Sequence, residues 1–101
     1  MFSSRLQNEQ ADNLARAFLT LESVEDCYRL FEDLFTIREI QDLSQRLEVA
    51  QLLKSQATYT EIVEKTGVST ATIGRVNRAL NYGAGGYQQV LERMRERDPK
   101  E

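Results

Sequence analysis

The stretch Thr58-Tyr59-Thr60-Glu61-Ile62-Val63-Glu64-Lys65-Thr66-Gly67-Val68-Ser69-Thr70-Ala71-Thr72-Ile73-Gly74-Arg75-Val76-Asn77-Arg78-Ala79-Leu80 decides the fold of this chain. It reads as two short helices joined by a tight turn through Gly67. Paired helices of this kind cross at roughly 90–120° over a turn of three or four residues. Glycine in such a turn takes a backbone shape that a Cβ opposes. Thr58 with Glu61 is spaced as a capping box that opens the first helix, and Ser69 is placed to cap the second. Ile62, Val68, Ile73 and Val76 fall where the two helices face each other and the body of the domain. Thr70, Ala71, Gly74, Arg75 and Arg78 are left pointing outward.

Outside this stretch the recurrent pattern is also helical, and no segment alternates at period two for long. The spacing of Leu14, Phe18 and Leu21 predicts a first helix over residues 4–21, polar in its first half apart from Leu6. Ser23, followed by Glu25 and Asp26, predicts the capped start of a second. Its apolar stripe of Val24, Cys27, Tyr28, Phe31, Leu34 and Phe35 reads as core packing, with Cys27 a buried, inert thiol. Thr36 with Glu39 opens a long helix to about residue 55. There Ile37, Ile40, Leu43, Leu47, Ala50 and Leu53 form one stripe, and Val49 and Leu52 add apolar surface beside it. Gln56 and Ala57 end that helix. Gly83 suits a left-handed helix stop, and residues 83–86 form a linker, since they lack the Lys-Ser/Thr of a phosphate loop. Tyr87, Val90, Leu91 and Met94 mark a last amphipathic helix, after which residues 95–101 read as a frayed, charged end. Pro99, the one proline, leaves the body of the chain free to be helical.

The organisation that follows is one all-α domain of six helices. Residues 1–57 form a helical dimerisation region, 58–80 the helix-turn-helix, and 81–101 a linker and C-terminal helix. With 101 residues, a single copy struggles to cover the apolar faces of six helices, two of them very short, so a homodimer is expected. No apolar run approaches the ~20 residues a membrane span needs. The N-terminal segment carries Ser, Arg, Gln, Asn and Glu where a signal peptide needs an apolar stretch. One cysteine rules out an intrachain disulfide. The expectation is a cytoplasmic protein with no membrane partner.

The net charge of −3 is unevenly spread. Residues 1–53 carry five Arg against ten acidic residues, a net −5. Residues 54–82 carry Lys54, Lys65, Arg75 and Arg78 against Glu61 and Glu64, a net +2. Local fields are screened over roughly 8 Å in physiological salt, so the positive segment can meet phosphates although the chain as a whole is acidic. Small residues near a helix start allow close approach to base edges, and arginine can take guanine or a phosphate. Gly74 costs about 1 kcal/mol of helix propensity against alanine, which on a solvated face points to close approach by something else. Ser69, Thr70, Ala71, Gly74, Arg75 and Arg78 therefore suit the major groove of double-stranded DNA, with Thr58, Tyr59, Thr60 and Lys65 as phosphate contacts flanking it. Catalysis finds no constellation: there is no histidine, and neighbours such as Glu32 and Asp33 point to different faces of a helix. The absence of histidine and the single cysteine also remove any metal-ligand cluster. A second reading of the same hairpin is a protein-interaction module solvated by the acidic first half.

The run Gly67-Val68-Ser69-Thr70-Ala71-Thr72-Ile73-Gly74-Arg75 resembles the Gly-x-Gly-x-Ala-Thr-Ile-Thr-Arg of the tryptophan-repressor-like family, in particular its YerC/YecD-type members. The likeness covers residues 10–94 and continues at Leu52-Leu53-Lys54 and at Thr36 with its acidic cap. It implies an all-helical transcriptional regulator, a repressor type, built as an intertwined homodimer. It further implies an effector held between two arginines and a threonine carbonyl, at positions matching Arg46, Arg75 and Thr36. Arg46 and Arg75 are equally suited to a surface ion pair or a phosphate contact. Val76 and Ala79 stand where the repressor has glycine and serine, and Val76 takes up space where a flat ring must enter. That departure argues against tryptophan as the effector, and no other cofactor is implied.

Overall fold

The computed structural model describes residues 2–97, in which six α-helices follow one another without a strand. The chain divides into two compact units on either side of the Ile37–Arg38 bond.

The first unit holds α1 (Glu9–Phe18) and α2 (Val24–Leu34). α1 is shorter than the spacing predicted, because Asn8 rather than Ser4 is its cap. The Asn8 side chain accepts from the Ala11 N–H at 2.7 Å, and Glu9 and Asp12 favour the positive helix end. Ser4 caps only a local turn, its hydroxyl accepting from the Leu6 N–H at 3.0 Å. Beyond Phe18 the chain tightens into turns, with the Thr20 N–H and hydroxyl both donating to the Ala17 carbonyl. α2 starts where expected: Ser23 Oγ accepts from the Asp26 N–H at 3.0 Å, and Asp26 in return accepts from the Glu22 N–H at 3.0 Å.

Edge-to-face rings hold this unit together. Phe35 meets Phe18 with centroids 6.5 Å apart and Phe31 at 6.0 Å, and Tyr28 adds a contact to Phe31 at 6.2 Å. The expectation of a buried stripe on α2 fails, however. No residue of either helix is buried, and Val24 and Tyr28 keep 72% and 62% of their surface exposed. Cys27 is half-buried rather than buried. Much of the apolar surface of these two short helices is therefore uncovered.

The second unit is built from α3 (Ile37–Lys54, from Arg38 onward), α4 (Tyr59–Thr66), α5 (Thr70–Tyr82) and α6 (Gly86–Arg97). Its core is Val49 and Ala50 of α3, Ile62 of α4, Val68 of the turn, Ile73, Val76 and Leu80 of α5, and Leu91 of α6. The four residues expected at the hairpin interface are all in it. α3 departs from its predicted stripe. Val49, beside that stripe, is fully buried, whereas Ile37 and Leu43 on it are exposed. Leu47, Leu52 and Leu53 pack against the core from its edge.

The helix ends carry specific devices. α3 stops in a Schellman arrangement, with the Gln56 N–H on the Leu53 carbonyl and the Ala57 N–H on that of Leu52, Gln56 taking the left-handed φ of 73°. Gly83 does not adopt the left-handed cap its residue type suggests, its φ being −87°. Glycine is required there sterically, because a Cβ would lie 2.3 Å from the Ala79 carbonyl oxygen. Gln88 of α6 donates to the Leu80 carbonyl at 3.0 Å and accepts from Lys54 Nζ, tying α6 to α5 and α3. Residues 83–85 form the linker, residues 95–97 remain helical, and the rest of the expected frayed end lies outside the described residues. No helix among the described residues is long and apolar enough to cross a membrane.

The capping box of α4 has both its bonds. The Thr58 N–H donates to Glu61 Oε1 at 2.7 Å and the Glu61 N–H to Thr58 Oγ1 at 3.1 Å. The Thr58 backbone bond first, and its side chain second, hold the Glu61 carboxyl below the usual glutamate range. The folded value thus lies below the unfolded one. The stabilisation is complete above about pH 4.3, the unperturbed glutamate value, and is lost as pH falls through the folded value. Glu61→Gln removes the titrating group but keeps an acceptor. The variant is expected to melt below the wild type at pH 7 and to converge with it on acidification. Parallel melting curves across that range would contradict the assignment.

Candidate nucleic-acid interface

The candidate interface is organised by α5. Its buried residues Ile73, Val76 and Leu80 lie at i, i+3 and i+7, one face of a 3.6-residue helix. The opposite face carries Ala71, Arg75, Arg78 and Tyr82, with Gly74 beside them. No acidic residue occurs on α5. Residues 67–69 aim the helix. Gly67 takes the left-handed conformation at φ 76°, Val68 is buried, and Ser69 Oγ accepts from the Thr72 N–H at 3.2 Å. The apolar side of α5 is thereby fixed inward and its polar side outward.

Most of the candidate contacts lie at the surface. Thr58, Thr60, Lys65, Ser69, Thr70, Ala71, Arg75 and Arg78 are all exposed. Gly74 is half-buried, and a Cβ built on it meets nothing within 4 Å. No packing inside the chain therefore demands glycine at that position. Arg46, Lys65, Arg75 and Arg78 engage in no ion pair or side-chain hydrogen bond among the described residues, where the ion pairs are Glu25–Arg29 and Arg38–Asp42.

Arg46 and Arg75 do come together. Both line a cleft of about 560 Å³ between α3, α5 and α6. Its polar wall adds Asp42, Gln45, Ser69 and Thr72, and its apolar wall is Val68, Val76, Ala79 and Tyr87. The volume is within the range of small-molecule pockets. Thr36 belongs to the first unit and is not among the lining residues. Asp42, Gln45 and Tyr87 are additions that sequence reasoning missed. Asp42 and Arg46 do share a helix face at i, i+4, but Tyr87 reaches the cleft only through the packing of α6.

A six-helix chain whose capped hairpin presents a basic helix face has clear relatives. Residues 9–95 match the family described as Trp repressor protein. YerC of Bacillus subtilis (strain 168), itself uncharacterised, is 50% identical over 92 residues, covering 91% of this chain and 88% of that protein. A Trp operon repressor homolog of Chlamydia trachomatis serovar L2 is 34% identical over 83 residues, covering 77% and 88%. The crystal structure of a TrpR-like protein from Eubacterium eligens superposes with a TM-score of 0.85 at 51% identity, covering 89% of this chain and 93% of that one. The chain belongs to the Trp repressor family, and its fold is the all-α fold of that family.

Proposed function

We propose that this protein is a sequence-specific DNA-binding transcriptional regulator that acts in the cytoplasm as a homodimer, with α5 lying in the major groove. The observation that carries the reading is the outward face of α5. It has small residues at its start, two arginines with no ion pair or side-chain hydrogen bond among the described residues, no acidic residue, and a glycine with open space above it. Helix-turn-helix proteins place the N-terminal part of such a helix at base edges. Ser69, Thr70, Ala71 and Gly74 are then the close-approach residues, Arg75 and Arg78 the basic contacts, and Thr58, Tyr59, Thr60 and Lys65 the contacts to flanking phosphates. Residues 58–80 are the DNA-reading segment, residues 1–57 the dimerisation region, and residues 81–101 a linker and closing helix. The uncovered apolar face of α1 and α2 supports the dimer, since a second copy is the simplest way to remove it from water. A dimer also doubles a positive field that is weak in one copy.

The cleft between α3, α5 and α6 suits a small effector held by Arg46 and Arg75, and Arg75 links it to the DNA-facing helix. Val76 and Ala79 in its wall favour a ligand other than tryptophan. The decisive experiment is selection of bound duplexes from a random pool, with and without a metabolite extract. The expected product is a palindrome whose half-sites are one helical turn apart, about 34–36 Å. Failure to enrich any duplex at low salt would sink the reading.

A further inference from the structure

We infer that Tyr82 is a DNA-backbone contact that extends the recognition surface beyond Arg78, an inference that rests on the reading of α5 as the DNA-facing helix. Tyr82 is the last residue of α5 and is 86% exposed. An isolated exposed aromatic is ordinary on a protein surface. Register is what distinguishes this one. Arg75, Arg78 and Tyr82 are spaced i, i+3 and i+7, so the ring continues the arginine stripe and lies opposite Ile73, Val76 and Leu80. Among the described residues its hydroxyl has no hydrogen bond and its ring no aromatic neighbour.

The backbone beyond it fixes this placement. The Gly83 N–H closes on the Ala79 carbonyl at 2.9 Å, and only a glycine fits that approach. The helix therefore stops directly after Tyr82. Asn81, its neighbour, is already occupied, its amide donating to the carbonyl and side chain of Asn77 at 2.9 Å each. Tyr82 is thus the free polar group at this end of the stripe.

Geometry selects the phosphate backbone over the bases. At 1.5 Å per residue, Ala71 and Tyr82 are about 16 Å apart along the axis, whereas the major groove is about 12 Å wide. A helix with its first turn at the base edges brings its last turn out at the groove wall. There a tyrosine hydroxyl can donate to a phosphate oxygen while the ring packs on the neighbouring sugar. The charge of the stripe commits the partner to a polyanion, since two arginines flank the approach and α5 carries no acid.

The test is a binding titration of the full chain on a labelled duplex recovered by selection and on a scrambled duplex of equal length, over a series of KCl concentrations. Tyr82→Phe removes one hydroxyl–phosphate hydrogen bond per protomer, which predicts binding weaker by about tenfold or more, and Tyr82→Ala, which loses the ring as well, is expected to bind more weakly still. Both duplexes are expected to lose affinity equally, because a phosphate contact carries no sequence information. The salt slope is expected to stay that of the wild type, because no charge is removed. Variants within about twofold of a wild type that does bind would overturn the inference. So would a loss accompanied by a changed sedimentation coefficient, which would place the ring in a protein contact. A wild type that binds neither duplex would instead overturn the reading of α5, and this inference with it.

Discussion

Ile73→Ala is expected to lower the melting temperature by at least about 10 °C, the consequence of a loss of about 2–5 kcal/mol from a small domain. Ile73 is fully buried at the start of α5 and belongs to a core that draws on every helix of the second unit and on the turn between α4 and α5. That core has eight residues among those described, so few neighbours can collapse into the space left by the three lost carbons. The total stability of a domain is only about 5–15 kcal/mol, and the loss is a large share of it. Glu64→Ala is the control. Glu64 is exposed on α4, outside the proposed dimerisation region, and its truncation is expected to change stability by no more than about 0.5 kcal/mol. Thermal unfolding followed by circular dichroism checks both. A drop below about 4 °C for Ile73→Ala would mean that the core relaxes around the cavity and does not set the hairpin.

The same contrast shows which parts of the structure can be read from sequence. Ser23, Thr58 with Glu61, and Ser69 are legible because a cap is local chemistry, a side chain and an amide three residues apart, and Gly67 because a left-handed helix stop favours glycine. Asn8 is as local, but Ser4 offers a competing cap upstream, and only the structure shows the chain turning between them. Gln56 gives no warning of its left-handed backbone, since the bonds that hold it are main-chain bonds of its neighbours. Gly83 is legible as a glycine position but for the wrong reason, the constraint being the carbonyl of Ala79 and not a positive φ. The stripe of α2 is legible as apolar but not as uncovered, because periodicity records which residues avoid water and not what they pack on.

The candidate site divides in the same way. The outward face of α5 follows from helical spacing once Ile73, Val76 and Leu80 are taken as buried, and the structure buries them. The cleft does not follow from spacing. Arg46 and Arg75 are 29 positions apart, and nothing in the residues alone puts Tyr87 beside them. It takes the docking of α6, through Leu91 and the bonds of Gln88, to close that side. Arg75 consequently faces two tasks, as a lining residue of the cleft and a member of the outward stripe. Arg78 is on the stripe alone.

For that reason Arg78→Ala is the cleaner measure of DNA contact. Arg78 is exposed, has no ion pair or side-chain hydrogen bond among the described residues and does not line the cleft, so its removal should change stability by no more than about 0.5 kcal/mol. Its effect should appear in binding. Each phosphate contact contributes about 0.9 to the slope of log affinity against log salt, so a dimer that loses two should show a slope flatter by about 1.8. At 0.15 M salt the same relation gives a loss of about fivefold per protomer and about thirtyfold for the pair. Arg75→Ala should flatten the slope similarly if that side chain meets phosphate, and should in addition change the response to any effector of the cleft. Anisotropy titrations of the three proteins on one selected duplex, between 50 and 300 mM KCl, separate these outcomes. A folded Arg78→Ala variant with the wild-type slope would remove Arg78 from the interface. Because charge on this helix comes only from Arg75 and Arg78, it would leave Arg75 as its one basic contact. The major-groove reading would then depend on a residue that also belongs to the cleft.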